Sequence, residues 1–205
     1  MTPDDTINQG ALERLRVAGV WHDEPEVLRF LAAVAAANPY PSRVVELGAH
    51  RMHDHDPRPT FPDAGWTGVD WRDGPGVFVV GLAHEVVTSR YIGKLLVPVD
   101  VDVVLSISAL EHDPHWALTV AAAVALVRPG GLVAVTCAGP GWEEHERDCA
   151  PGGPYYRNVD CEEVASTIRL AAVARCLRVS AIRSWYEERT CAPHWPRTCV
   201  LARIG

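Results

Sequence analysis

The sequence lacks the features that mark several common classes of protein. Its six cysteines include no C-x-x-C pair and no apolar signal core follows Met1, so we expect reduced thiols in a cytoplasmic protein. Lys94 is the only lysine and the net charge is −7, which does not favour binding to bulk nucleic acid. No apolar run reaches the roughly 18 residues that a membrane-spanning helix needs. We therefore expect a soluble protein that binds neither membranes nor nucleic-acid backbones.

The composition is that of an ordinary globular domain. The 205 residues, 48% of them hydrophobic and 22% charged, suffice for one α/β domain with small additions. Helical spacing of apolar residues over 8–19 and 25–37 predicts two helices that precede the first strand. We interpret residues 1–41 as an N-terminal helical extension of a domain formed by residues 42–205.

After residue 42, short β-branched runs alternate with helical stretches. The predicted strands are residues 43–47, 66–69, 77–80, 101–107 and 132–136, and the predicted helices are residues 85–95, 115–127 and 161–176. Because crossover helices join parallel strands and cover both faces of a sheet, this order predicts a doubly wound, Rossmann-like α/β fold. Residues 179–185 and 198–204 are two further strands without a helix between them, which predicts a seven-stranded, mostly parallel sheet with an antiparallel C-terminal strand pair.

Acidic residues stand where the first two predicted strands end. Glu46 precedes Gly48 at the end of the first strand, and Asp70 ends the second strand, 22 residues after Gly48. Open α/β sheets bind ligands beyond the carboxyl ends of their strands, and a carboxylate at this spacing is typical of hydrogen bonding to a ribose diol. These positions predict a ligand that contains a nucleoside. Their spacing alone does not separate a nicotinamide dinucleotide from S-adenosylmethionine.

Four segments carry the most specific pattern in the chain. In order they are Glu46-Leu47-Gly48, Gly68-Val69-Asp70, Leu110-Glu111-His112 and Arg128-Pro129-Gly130-Gly131-Leu132. Together they resemble the class I S-adenosylmethionine-dependent methyltransferases over residues 42–205. Within that class, the small bacterial and bacteriophage enzymes similar to methyltransferase domain 11 are resembled by the segments 58–61, 73–77, 111–113, 136–141 and 155–158. The resemblance implies methyl transfer to a small or medium-sized acceptor, at oxygen or nitrogen rather than carbon.

The resemblance also implies which residues bind the cofactor. Glu46 and Gly48 would face its methionine end, Asp70 its ribose, Trp71 its adenine and Ser106 its donor methyl group. The full set of expected cofactor contacts is Glu46, Gly48, Ala49, Asp70, Trp71, Ala83 and Ser106. S-adenosylmethionine carries a sulfonium and an ammonium group, so carboxylates suit it electrostatically. The helices of the N-terminal extension would cover the substrate.

Three positions depart from the family pattern. His50 and Met52 stand at the second and third glycine positions, and Leu82 stands where an acidic residue often holds the adenine. The alternative function is therefore a non-catalytic, Rossmann-like binding or assembly module with a degenerate cofactor site. A nicotinamide-dependent oxidoreductase is disfavoured, because the chain lacks both the full G-x-G-x-x-G fingerprint and a Tyr-x-x-x-Lys pair.

Candidate catalytic residues follow the fourth predicted strand. Glu111, His112 and His115 would lie where the acceptor enters, and a histidine that titrates near neutral pH can take a proton from a hydroxyl or amine. The competing interpretation is structural: Glu111 and Asp113 begin a helix and are stabilised by its dipole.

The segment from Gly139 to Asn158 is a candidate lid, since it is too long for an ordinary connection. The candidate substrate contacts are Trp142, Tyr155, Tyr156 and Arg157. Arginine offers a planar fork of donors, and tyrosine and tryptophan offer amphipathic faces. The competing interpretation is that these side chains anchor the loop on the edge of the sheet.

Residues 50–56 place three histidines and two aspartates within seven positions. Imidazole and carboxylate are zinc or iron ligands, but alternate residues of a loop rarely converge on one ion. We therefore interpret the segment from His50 to Asp56 as a polar loop and expect no bound metal. The acceptor and the oligomeric state have no signature in the sequence.

Overall fold

Alternating helices and strands make up most of the computed structural model, which describes residues 7–21, 24–51, 55–86, 99–145, 151–188 and 196–205. In these ranges the helices are α1 (Gln9–Val17), α2 (Pro25–Ala37), α3 (Trp116–Leu126) and α4 (Cys161–Ala174). The strands are β1 (Arg43–Leu47), β2 (Gly65–Asp70), β3 (Val79–Val80), β4 (Val101–Ile107), β5 (Val127–Ala138), β6 (Val179–Glu188) and β7 (Pro196–Ile204). Short 3-10 helices lie at Arg58–Thr60, Ala83–Glu85 and Leu110–His112. None of the described helices has the length and apolar character required to cross a bilayer.

The strands form one sheet in the order β3-β2-β1-β4-β5-β7-β6. Strands β1 to β5 pair in parallel, whereas β7 runs antiparallel to both β5 and β6. The predicted doubly wound fold with an antiparallel C-terminal pair is confirmed. Connections leave β1 and β4 in opposite directions along the sheet, and such a switch point is where open α/β sheets bind their ligands.

Strand β5 differs most from its predicted length. It was expected over residues 132–136 and spans residues 127–138. A bulge over residues 128–131 interrupts its pairing with β4, and Gly130 within it has a φ of +80°, a left-handed conformation that favours glycine. The helix predicted over 85–95 lies almost wholly outside the described residues.

Apolar side chains pack against helices on both faces of the sheet. Val44 shares a buried cluster with Phe30 and Leu31 of α2, whereas its neighbour Val45 shares the other cluster with Val124 of α3. Successive strand residues point to opposite faces, so burial of both faces explains why the strands are almost continuous apolar runs. Helix α1 also packs into the α2 cluster, so both N-terminal helices belong to the core.

Candidate active site

The segments that follow β1, β2, β3 and β4 line one cavity at the carboxyl edge of the sheet. They contribute residues 46–51, 70–72, 82–84 and 107–113, respectively. The segment after β5 adds Trp142, His145 and Pro151, the N-terminal segment adds Trp21 and Glu24, and His55 and Arg197 also line the cavity. Parallel strands end at the same edge, so residues far apart in the sequence meet there.

The turn after β1 requires glycine. Gly48 has a φ of +83°, and a Cβ atom at this position would lie 2.3 Å from the Cβ of Ala109. The backbone N–H groups of Gly48 and Ala49 donate to the carbonyl of Val69, at 2.8 and 3.0 Å. The turn therefore brings the ends of β1, β2 and β4 into contact, with Gly48 and Ala49 on the wall of the cavity.

Asp70 is held rigidly where β2 ends. Its Oδ2 accepts from the backbone N–H of His50 at 3.1 Å and its Oδ1 from that of Arg72 at 2.9 Å. The side chain is buried but lines the cavity, and a carboxylate in this arrangement keeps further lone pairs for a ligand. Trp71 lines the cavity beside it, with 38% of its surface exposed.

Glu46 forms a buried ion pair with Arg51. The Nη2 of Arg51 lies 3.2 Å from Glu46 Oε2 and 3.4 Å from Asp56 Oδ1. Burial raises the pKa of the Glu46 carboxyl to about 7, although the positive charge of Arg51 opposes this rise. Sequence reasoning did not identify Arg51, and a cation just after the glycine turn was the signal that could have indicated it.

His50 occupies the second glycine position of the family pattern, and its imidazole packs against Gly74. A Cβ atom on Gly74 would lie 2.7 Å from His50 Nε2, so the glycine makes room for the ring. Leu82 and Ala83 line the cavity beyond β3. Met52, His53 and Asp54 lie outside the described residues.

His55 and Asp56, also in the expected polar loop of residues 50–56, contact protein side chains. The rings of His55 and Trp21 stack at 5.2 Å between centroids. Asp56 forms ion pairs with Arg58 at 2.6 Å and with Arg51.

Glu111 lies buried beside the cavity on the 3-10 helix after β4. Its Oε1 accepts from the backbone N–H of Ala138 at 3.0 Å, and its Oε2 has no hydrogen-bond partner among the described residues. Burial raises the pKa of this carboxyl, while the positive charge of Arg197 lowers it. A buried carboxylate oxygen without a donor is unusual and favours a ligand or cation there.

A cluster of aromatic rings adjoins Glu111. The ring of His112 lies 5.1 Å from that of His145 and 5.4 Å from that of Tyr156, and the rings of His145 and Tyr156 are 4.9 Å apart. The Tyr156 hydroxyl is buried and has no hydrogen-bond partner among the described residues. Sequence reasoning did not identify His145, because nothing in the lid marks one residue as facing the 3-10 helix.

The other predicted acceptor residues lie in different places. Trp142 lines the cavity, whereas Tyr155 and Arg157 do not; Arg157 packs over the ring of Trp116 at 5.5 Å. His115 packs against His84, which lines the cavity, with ring centroids 4.6 Å apart.

Helix α3 begins at Trp116, and of the two acidic residues expected at its start Glu111 lies in the preceding 3-10 helix, whereas Asp113 is hydrogen-bonded to the start of α3. It accepts from the backbone N–H of His115 at 2.7 Å and from the hydroxyl of Thr119 at 2.5 Å. Ser106 is buried within β4, and the serine that lines the cavity is Ser108.

Arg197 of β7 joins three parts of the cavity wall. It donates to Ser108 Oγ and to Glu24 Oε2, both at 2.7 Å, and its guanidinium lies 4.9 Å from the ring centroid of Trp142. Only 3% of Arg197 is exposed. Sequence reasoning missed this residue, because only the antiparallel pairing of β7 with β5 brings it to the cavity.

No family model and no curated protein matches the sequence. Solved structures do. The 1,6-didemethyltoxoflavin-N1-methyltransferase of Burkholderia thailandensis, solved with 1,6-didemethyltoxoflavin and S-adenosylhomocysteine, is 18% identical with a TM-score of 0.58, and the match covers 99% of this chain and 91% of that one. The N-terminal domain of EvdMO1 with S-adenosylhomocysteine is 18% identical at a TM-score of 0.54, over 97% and 83% of the two chains.

A third solved structure is that of an S-adenosylmethionine-dependent methyltransferase of Thermotoga maritima, a possible histamine N-methyltransferase. It is 15% identical with a TM-score of 0.53, over 93% of each chain. At these identities the likeness concerns the fold. The chain has the fold of the class I S-adenosylmethionine-dependent methyltransferases.

Proposed function

We propose that the protein is an S-adenosylmethionine-dependent methyltransferase that modifies an oxygen or nitrogen atom of a small or medium-sized acceptor. The observation that carries this proposal is that Glu46, Gly48 and Asp70 meet at one cavity, at the switch point of a class I methyltransferase fold. Two structural neighbours contain S-adenosylhomocysteine, and the Burkholderia protein also contains 1,6-didemethyltoxoflavin.

The residues at the strand ends fit the parts of this cofactor. Asp70 can accept from ribose hydroxyls because two backbone amides fix its carboxylate. Trp71, Leu82 and Ala83 line the same cavity and offer apolar surface to adenine. The cofactor, when bound, would supply an electrophilic methyl group on a sulfonium sulfur.

The amino-acid end of the cofactor matches the ion pair of Glu46 and Arg51. A carboxylate suits the ammonium group and a guanidinium suits the carboxylate, so the two side chains together can hold both ends of a zwitterion. Both line the cavity. Ser106 remains a prediction as a residue beside the donor methyl group.

Glu111 and His112 are the groups that act on the reacting atom of the acceptor in this proposal. Both line the cavity, and the raised pKa of the Glu111 carboxyl makes it a better proton acceptor than an exposed glutamate. Trp142 would contact the acceptor from the lid. Roles for His115, Tyr155, Tyr156 and Arg157 remain predictions.

Calorimetric titration with S-adenosylhomocysteine tests the proposal. We expect the wild-type protein to bind, Asp70→Asn to bind at least about tenfold more weakly through loss of a charged hydrogen bond, and the exposed control Asp63→Asn to bind like wild type. Absence of binding by the wild-type protein at millimolar ligand, or an unchanged affinity in Asp70→Asn, would refute it.

The titration with S-adenosylhomocysteine also tests the non-catalytic alternative. That alternative rests on three departures from the family pattern, at His50, Met52 and Leu82. At the first of them, the space that Gly74 leaves for the imidazole supports an open cofactor site. A non-catalytic module with a degenerate site would show no binding in the wild-type protein and in His50→Gly alike.

A further inference from the structure

Three side chains that line the cavity lie close enough together to hold a metal ion, and no sequence motif indicated them as a set. One ligand atom each from Glu111, His112 and His145 lie within 4.8 Å of one another. Glu111 and His112 are adjacent on the 3-10 helix after β4, whereas His145 lies in the segment that follows β5. Two imidazoles and a carboxylate are a ligand set that suits zinc, iron and similar divalent ions.

One buried oxygen of Glu111 favours a cation. Glu111 is only 1% exposed, and its Oε2 has no hydrogen-bond partner among the described residues. Leaving a buried carboxylate oxygen without a partner costs free energy that a bound cation would recover. The Oε1 atom is fixed by the backbone N–H of Ala138, so the side chain is already oriented.

The imidazole of His145 is also fixed by a backbone hydrogen bond. Its Nδ1 lies 2.9 Å from the carbonyl oxygen of Glu143. A histidine that donates from Nδ1 to a carbonyl presents the lone pair of Nε2, which is the arrangement common among metal-binding histidines. The Tyr156 ring packs against both imidazoles and restricts their movement.

We propose that Glu111, His112 and His145 bind a divalent transition-metal ion of the zinc class beside the cavity. A tetrahedral zinc ion about 2.1 Å from each ligand atom holds its ligand atoms roughly 3.4 Å apart. The distances between the three ligand atoms, now within 4.8 Å, would therefore shorten by about 1.4 Å at most. Three protein ligands leave one coordination position open, as in catalytic zinc sites.

The open position gives the ion a role in the proposed function, on which this part of the inference rests. Glu111, His112 and His145 all line the cavity, so the open position would take an oxygen or nitrogen donor atom of the acceptor. With the ion bound, Glu111 and His112 would act on the acceptor as ligands of the ion, in place of the direct contact with the reacting atom proposed above. The expected acceptor is a small molecule whose methylated atom, or the atom next to it, is a metal ligand.

The test uses the untagged full-length protein after removal of metals with a chelator. Titration with Zn²⁺ is expected to show one ion per chain, and Co²⁺ is expected to give the visible absorption of a tetrahedral site. Glu111→Gln keeps an acceptor for Ala138 and His145→Gln alters a half-buried lid residue, so both should fold, as circular dichroism checks. Each is expected to weaken Zn²⁺ binding at least about 100-fold.

His84→Gln is the matched control, because His84 forms a different imidazole pair with His115. It is expected to leave Zn²⁺ affinity and the Co²⁺ spectrum unchanged. The proposal is overturned if wild type binds no Zn²⁺, or if His145→Gln binds as well as wild type. Loss of binding in His84→Gln but not in His145→Gln would move the ion to the other pair and would also overturn it.

Titration of the same samples with S-adenosylhomocysteine separates the two proposals. Cofactor binding without Zn²⁺ binding refutes the metal site and leaves the methyltransferase proposal standing. Zn²⁺ binding lost in His145→Gln, without cofactor binding, supports the metal site and refutes the methyltransferase proposal.

Discussion

Replacing Glu46 by glutamine should change how the stability of the protein depends on pH. The carboxyl has a pKa of about 7 in the folded protein, against 4.5 without the fold, because burial disfavours its charged form. Between these two pH values the folded state holds a proton that the unfolded state has released. The stabilisation from this proton is fully present below pH 4.5 and is lost as the pH rises through 7.

The magnitude follows from the pKa difference. At 1.36 kcal/mol per pKa unit, a rise from 4.5 to about 7 corresponds to about 3 kcal/mol, of which roughly 2–3 kcal/mol is lost between pH 5 and pH 8. Glutamine does not titrate. The free energy of unfolding of Glu46→Gln minus that of wild type should therefore increase by roughly 2–3 kcal/mol from pH 5 to pH 8.

Urea unfolding of both proteins at half-unit pH steps measures this difference. Loss of the Glu46–Arg51 ion pair shifts the whole curve, but the change with pH reports the titration of Glu46 alone. The matched control makes the same substitution at Glu162, on the exposed surface of α4. A difference between Glu46→Gln and wild type that stays constant within about 0.5 kcal/mol would refute the reasoning.

Cofactor binding should follow the same titration. If the ionised Glu46 holds the ammonium group, affinity for S-adenosylhomocysteine should rise by up to about tenfold per pH unit below about pH 7. Above that pH the affinity should level off. In Glu46→Gln the affinity should be weak at every pH between 5.5 and 8. A pH-independent affinity in wild type would remove Glu46 from the cofactor site.

Three further substitutions test the architecture, each by urea or thermal unfolding. Gly48→Ala should lower the free energy of unfolding by about 2 kcal/mol or more, because the new Cβ would lie 2.3 Å from that of Ala109. The control Gly81→Ala has open space around it and should change this free energy by less than about 0.5 kcal/mol. Equal effects of the two substitutions would contradict the packing of the turn. Asp160→Ala should cost about 1–2 kcal/mol, since Asp160 caps α4 in a capping box, and an unchanged midpoint would count against that role. Arg197→Gln should lower the free energy of unfolding by about 2 kcal/mol or more, because its buried hydrogen bonds to Ser108 and Glu24 are lost; a change below about 0.5 kcal/mol would contradict this.

The fold was largely predictable because burial on both faces leaves a strong sequence signal. Strand β1 was predicted at residues 43–47 and lies there, since a run of β-branched side chains between polar turns suits a strand in a parallel sheet. The length of β5 was not predictable. Val127 pairs with Val101 of β4 ahead of the bulge over residues 128–131, and the local sequence does not show this tertiary pairing.

The candidate site was predictable only where it depends on strand ends. Glu46, Gly48 and Asp70 line the cavity because each lies at the carboxyl end of a recognisable strand. Ser106 and Ser108 differ in whether they precede or follow the last residue of β4, and periodicity does not locate an element boundary to within one or two residues.

The sequence by itself determined the order of elements, the parallel sheet and the sheet edge at which a ligand is expected, because the periodicity of buried side chains and the right-handed crossover are local properties of the chain. Only the tertiary structure decided that Arg51 neutralises Glu46, that Arg197 of β7 reaches Ser108, and that His145 meets His112. Those contacts join segments distant in the chain or depend on how a turn folds back, and their geometry is set by packing that no local pattern encodes.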